Sequence, residues 1–277
     1  MKSGYLVCEE REIHYTEWGA ENAEAVIAWH GLARTARDMD DVAAHLARRF
    51  RVICPDTIGR GLSQWSPQPE REYCLDFYAR IAVSLAAQLG LERCYWLGTS
   101  MGGALGMRLA AGALRGRIAR LILNDIGPQL GPAALERIRS YAGSPPQFDR
   151  MSELEQYFRT IYKPYGWLSD EQWRRLTETS ARRTADGKVA PHYDPGMVLQ
   201  FTHHPRDYDQ WEAWDAIDVP TLCLRGETSD LLPPEVAEAM RTRGPRAVVL
   251  TIPGCGHAPA LNVPEQFALV ERFLNGR

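Results

Sequence analysis

The sequence predicts an α/β fold: a mostly parallel, doubly wound sheet interrupted by one inserted helical segment. Three observations lead there. Short apolar runs alternate with segments of helical period up to residue 125 and again from residue 220. The alternation lapses between 128 and 216. A G-x-S-x-G pattern, Gly98 to Gly102, stands where an apolar run meets a helical one. Alternation of this kind puts helices on both faces of a parallel sheet.

The elements follow in order. REIHYTEW (11–18) sets Ile13 and Tyr15 against His14 and Thr16, a strand period. AVIAW (25–29) is a short buried strand ending at His30-Gly31. Met39, Val42, Leu46 and Phe50 give 38–50 a helical stripe, and RVICPD (51–56) is a strand stopped by Pro55. Phe77, Ile81, Leu85 and Leu89 stripe a helix over 73–90, closed by Gly90. CYWLG (94–98) is a strand, 101–114 a helix rich in small residues, and RLILND (120–125) a strand. No buried strand is expected from Pro128 to Ala216, where 132–141, 151–162 and 169–183 read as helices. That stretch holds 13 of the 26 aromatic residues, which suggests an apolar pocket wall or a core of its own. After it come the strand 220–226, a helix 234–243, the strand 247–252 and a last helix 264–274. The expected organisation is one α/β core, 1–127 with 217–277, carrying an insertion at 128–216.

Composition removes several classes of function. A formal charge of −3 leaves no footprint for nucleic acid. No apolar run approaches the roughly 18 residues of a membrane span, and the first residues lack the apolar core of a signal peptide. The six cysteines show neither C-x-x-C nor zinc spacing and read as buried, reduced side chains. A cytoplasmic location is the expectation. His203-His204 with Asp207 and Asp209 lacks recognisable metal-ligand spacing, so no metal is expected.

The chemistry centres on Ser100. A serine between Gly98 and Gly102, after a strand and before a helix, sits on a tight turn with its hydroxyl exposed above the sheet. A hydroxyl needs a base. His257 lies in PGCGHAPAL, directly after the strand 247–252, where an open α/β sheet places its ligands. The imidazole needs a carboxylate. Asp230, after the strand 220–226, is the first choice, with Asp125 at the end of its own strand as rival and Glu227 behind both. Oxyanion donors are expected from the N–H groups of Met101 and Leu32, with His30 a structural hydrogen-bonder. Arg34 and Arg60 are candidates to clamp a substrate carboxylate, or to pair with Asp38, Asp56 or Asp125. Trp167, Trp211 and Trp214 are candidates to shape the pocket.

HGL at 30–32, PDTIGRGLS at 55–63, GTSMGG at 98–103, the acid loop at 226–230 and GCGHAP at 254–259 together resemble the α/β-hydrolase superfamily. The resemblance runs from about Tyr5 to the last helix and omits the insertion. It implies a lid-like cap, 128–216, over a Ser-His-Asp site needing no cofactor. The expected activity is cleavage of an ester, lactone or enol-lactone of a small to medium organic acid. Alternatives are carbon–carbon bond hydrolysis or acyl transfer on the same residues, or ligand binding without turnover. Ala258-Pro259 after the histidine, where carbon–carbon hydrolases commonly carry Trp, counts against the first of these.

Overall fold

A computed structural model describes residues 1–276, and at 139–141 the backbone alone. Eight strands form one sheet: β1 (Lys2–Cys8), β2 (Arg11–Trp18), β3 (Ala25–Trp29), β4 (Arg51–Pro55), β5 (Cys94–Thr99), β6 (Ile118–Asn124), and two later ones. These are β9 (Thr221–Gly226) and β10 (Val248–Ile252), and the spatial order is β1-β2-β4-β3-β5-β6-β9-β10. From β4 to β10 all pairings are parallel, while β1–β2 and β2–β4 are antiparallel. Every residue of β3 is buried, which is why its sequence is an unbroken apolar run. Strand β1 is absent from the sequence reading. It joins β2 through Glu9-Glu10, both at positive φ, where a two-residue hairpin turn ordinarily announces itself with Asn or Gly.

The helices alternate with these strands: α1 (Asp40–Leu46), α2 (Pro69–Glu72), α3 (Leu75–Gln88) and α4 (Met101–Ala111), with α10 (Pro234–Thr242) and α11 (Pro264–Leu274) near the end. One apolar layer buries Trp29, Tyr78, Ile81, Trp96 and Leu105 on one side of the sheet. The other buries Val26, Val42, Phe50, Leu97, Leu222 and Val270.

Between β6 and β9 lie α5 (Pro132–Ala142), α6 (Met151–Ile161), α7 (Asp170–Thr179), α8 (Gln200–His203) and α9 (Trp211–Ala216). A short antiparallel pair also lies there, β7 (Ala181–Arg183) with β8 (Val189–Pro191). The stretch is therefore not purely helical, and the helix expected over 169–183 ends at Thr179. Ser180 caps α7, and Ala181 starts a strand that pairs with a wholly buried β8. The apolar contacts divide the stretch. Leu154, Phe158, Tyr162, Trp173 and Val189 make a small core of their own. Ile138, Tyr193, Met197, Phe201 and Trp214 instead join the layer beneath the sheet.

Candidate active site

Ser100 stands between β5 and α4 at φ 52°, ψ −117°. Three glycines permit that turn. A Cβ on Gly98 would come within 2.2 Å of the Gly102 carbonyl oxygen, and one on Gly102 within 2.3 Å of the Trp29 oxygen. One on Gly103 would meet the Ile126 side chain at 2.4 Å. Helix α4 is thus pressed against β3 and β5, and it starts directly at the serine, whose carbonyl accepts the Gly103 and Ala104 N–H groups.

The Ser100 hydroxyl lies 2.9 Å from His257 Nε2, to which it donates. The other ring nitrogen, Nδ1, donates to Asp125 Oδ2 at 2.7 Å. The acid beside the histidine is Asp125 and not Asp230. Strand β6 is the direct neighbour of β5, so the residue after its end emerges next to the serine turn. Asp125 takes a positive φ there, and its N–H bonds back to Leu224 of β9. The loop after β9, expected to carry the acid, instead satisfies it. Gly226 N–H donates to Asp125 Oδ1 at 2.8 Å and the Ser229 hydroxyl to Oδ2 at 2.6 Å. Asp230 is half exposed and forms a two-pronged pair with Arg137. Glu227 accepts the Gly254 N–H at the surface. Both acids stand at strand ends in the sequence; only the order of strands separates them.

Gly31 comes close to the serine, a Cβ there lying 3.6 Å from Ser100 Cβ. Leu32 lines the same cavity as Ser100 and His257, and Met101 is the first residue of α4. His30 is fully buried. Its Nδ1–H donates to the Gly31 carbonyl at 2.6 Å, and its Nε2 accepts from the Thr57 N–H at 2.9 Å. Because the Gly31 carbonyl and the Leu32 N–H share one rigid peptide plane, His30 fixes the direction of that N–H. Burial pushes the His30 pKa down to about 4, so the ring holds this loop in its neutral form.

Arg60 does not line the cavity beside Ser100 and His257. It is wholly buried, with Nε–H on the Leu32 carbonyl at 2.8 Å, Nη1 on Ile58 and Tyr78, and Nη2 3.8 Å from the Met101 sulfur. It braces both residues expected to hold an oxyanion. The three tryptophans are also elsewhere. Trp167 is 71% exposed, Trp211 stacks on Arg243 and bonds Gln129, and Trp214 is buried with its indole N–H on the Arg243 carbonyl. A cavity of about 290 Å³ opens onto Ser100, His257 and Leu32, and its far wall is Ile138, Ile161, Tyr162 and Tyr165. Those four went unread in the sequence, where isoleucines and tyrosines at helical spacing look like any buried face. Arg34 lines the cavity as well, bonded to Asp38.

A second set of the same residue types exists. The Ser3 hydroxyl donates to His14 Nε2 at 2.8 Å, and His14 Nδ1–H donates to Asp56 at 2.7 Å. Ser3, however, lies on the exposed face of edge strand β1, outside the Ser100 cavity. Asp56 also accepts the N–H groups of Ala36 and Leu62, a loop-holding role.

Comparison with known proteins adds to this geometry. A family model described as "Alpha/beta hydrolase family" matches residues 26–269. The chain is similar to a 3-hydroxybutyrate-oligomer hydrolase of Cupriavidus necator, 38% identical over 272 residues, 95% of this chain and 92% of the relative. It is similar in structure to an alpha/beta hydrolase from Novosphingobium aromaticivorans, with a TM-score of 0.86 and 33% identity over 99% and 98% of the two chains. An enol-lactonase from Burkholderia xenovorans shares the fold, at TM-score 0.73 and 19% identity over 98% of each chain.

Proposed function

The chain belongs to the alpha/beta hydrolase family, and from that premise we propose that it is a carboxylic ester hydrolase working through an acyl-enzyme on Ser100. The reading rests above all on one observation: the hydroxyl, imidazole and buried carboxylate of Ser100, His257 and Asp125 are joined by hydrogen bonds at the mouth of a cavity. Fold alone would not select a reaction.

Ser100 Oγ attacks the ester carbonyl while its proton passes to His257 Nε2. Asp125, which keeps its charge, stabilises the imidazolium and holds Nδ1–H in place. The N–H groups of Leu32 and Met101 receive the oxyanion. The imidazolium then gives its proton to the departing alcohol oxygen. Water, deprotonated by the same nitrogen, releases the acid and regenerates the hydroxyl. Residues 128–216 act as a cap, since α5, α6 and the turn at 162–165 supply the cavity's far wall.

The first substrate class is an oligomer of 3-hydroxybutyrate, the compound in the name of the Cupriavidus necator relative. Purified protein should release acid from the 3-hydroxybutyrate dimer and trimer, and Ser100→Ala should lower kcat on the order of 10⁶-fold. Retention of wild-type turnover in Ser100→Ala would remove the proposal.

A further inference from the structure

Arg34 is buried at 4% exposure, and its guanidinium is almost fully committed. Nε and Nη2 hold Asp38 at 2.7 and 2.6 Å, and Nη2 also reaches the Ser180 hydroxyl at 2.8 Å. The plane packs on Tyr162, 4.5 Å from the ring centre. Its remaining nitrogen, Nη1, is buried with no hydrogen-bond partner. Among the described residues, other buried side-chain atoms also lack a partner, but of these residues only Arg34 lines the Ser100 cavity. A buried donor left without a partner is costly, the more so when it is charged. Among the described lining residues none is acidic, and the second cation, Arg137, is paired with Asp230.

We propose that Arg34, whose side chain borders the Ser100 cavity, selects substrates carrying a free carboxylate, which its guanidinium receives by turning the unpartnered Nη1 toward the ligand while the ester carbonyl lies at Ser100. This rests on the ester-hydrolase reading above and narrows it to esters with one acid end. Asp38 and Ser180 act as the brace: they orient the fork and leave one prong for the ligand. A carboxylate is preferred over a neutral carbonyl because a charge-assisted bond to guanidinium is shorter and about twice as strong.

The test compares the 3-hydroxybutyrate dimer with a free carboxylate against the same dimer capped as its primary amide. In the wild type, capping should lower kcat/KM by roughly 10–100-fold. Arg34→Gln should bring the free and capped dimers to within about threefold of one another, mainly through KM for the free acid. Labelling of Ser100 by a small fluorophosphonate and the melting temperature report whether that variant is folded. Where it is not, Asp38→Asn decides: with one arm of the brace lost and the fork free to turn, preference for the free acid should fall. Equal rates for free and capped dimers in the wild type would overturn the inference while leaving the ester-hydrolase reading intact. So would an unchanged ratio in folded Arg34→Gln, or an unchanged ratio in Asp38→Asn. Absence of turnover on every ester by the wild type would instead strike the reading beneath it.

Discussion

Three buried polar side chains, Asp125, His30 and Arg60, divide the labour around one peptide loop and one hydroxyl. Asp125 is wholly buried and accepts from His257, Gly226 and Ser229, so its charge is compensated by three donors from two segments. Asp125→Asn should cut kcat by about 10⁴ in a folded protein, because an amide cannot hold the same imidazole tautomer. Asp230→Asn, which loses only an exposed pair with Arg137, should stay near wild type. Steady-state kinetics on one ester decides, and the reverse order would return the role to Asp230. His30 makes a pH prediction. Its folded pKa, about 4, lies below the ordinary 6.5, so the unfolded chain binds the proton first. Its contribution is complete above pH 6.5 and is lost as pH falls from 6.5 toward 4, in all about 3 kcal/mol. His192, also lowered by burial, adds a slope of the same sign. Urea unfolding at pH 7.5 and 4.5 should show a steeper loss in wild type than in His30→Gln; equal slopes would refute this role for His30.

Among the elements, the strands and helices that carry a repeating pattern were legible, and those set by tertiary contact were not. The stripe of Phe77, Ile81 and Leu85 marks α3, and the all-apolar AVIAW marks β3. Strand β1 escaped because its outward side chains include Tyr5 and Val7, both exposed, so hydrophobicity did not report burial. Strand β7 escaped because Arg182 and Arg183 suit a helix as well as an edge. At the site, Ser100 and His257 stood out because glycine-rich turns after strands have a local signature. The choice between Asp125 and Asp230 depends on which strand neighbours β5, which no local pattern records. The aromatic content of 128–216 suggested tryptophans in the pocket, yet among the described residues the aromatic rings of that stretch at the cavity are Tyr162 and Tyr165. Truncating Ile138 or Ile161 to Ala should therefore change relative kcat/KM across esters of differing chain length by about 10-fold or more. Trp167→Ala should leave the profile unchanged. Trp214→Ala should lower stability by about 3–5 kcal/mol and depress all substrates alike. A chain-length profile that follows Trp167 rather than the isoleucines would contradict this placement of the wall.

At the scale of the whole molecule, the parallel strands point their carboxyl ends to one side of the sheet, and the residues after β3, β5, β6 and β10 meet there. Gly226 shows how tightly: a Cβ on it would lie 2.1 Å from the Gly256 oxygen, so the loops after β9 and β10 are in contact. The same sheet holds a Ser-His-Asp arrangement at its far edge, Ser3-His14-Asp56, with comparable distances but outside the Ser100 cavity and with its acid tied to loop N–H groups. What separates the two is the helix N-terminus and the Gly31-Leu32 loop beside Ser100, and that difference makes the central claim directly measurable. Treat the protein with a fluorophosphonate, digest it, and locate the adduct by mass spectrometry. One adduct per chain is expected, on Ser100, lost in Ser100→Ala and kept in Ser3→Ala; an adduct on Ser3, or labelling that persists in Ser100→Ala, would contradict it.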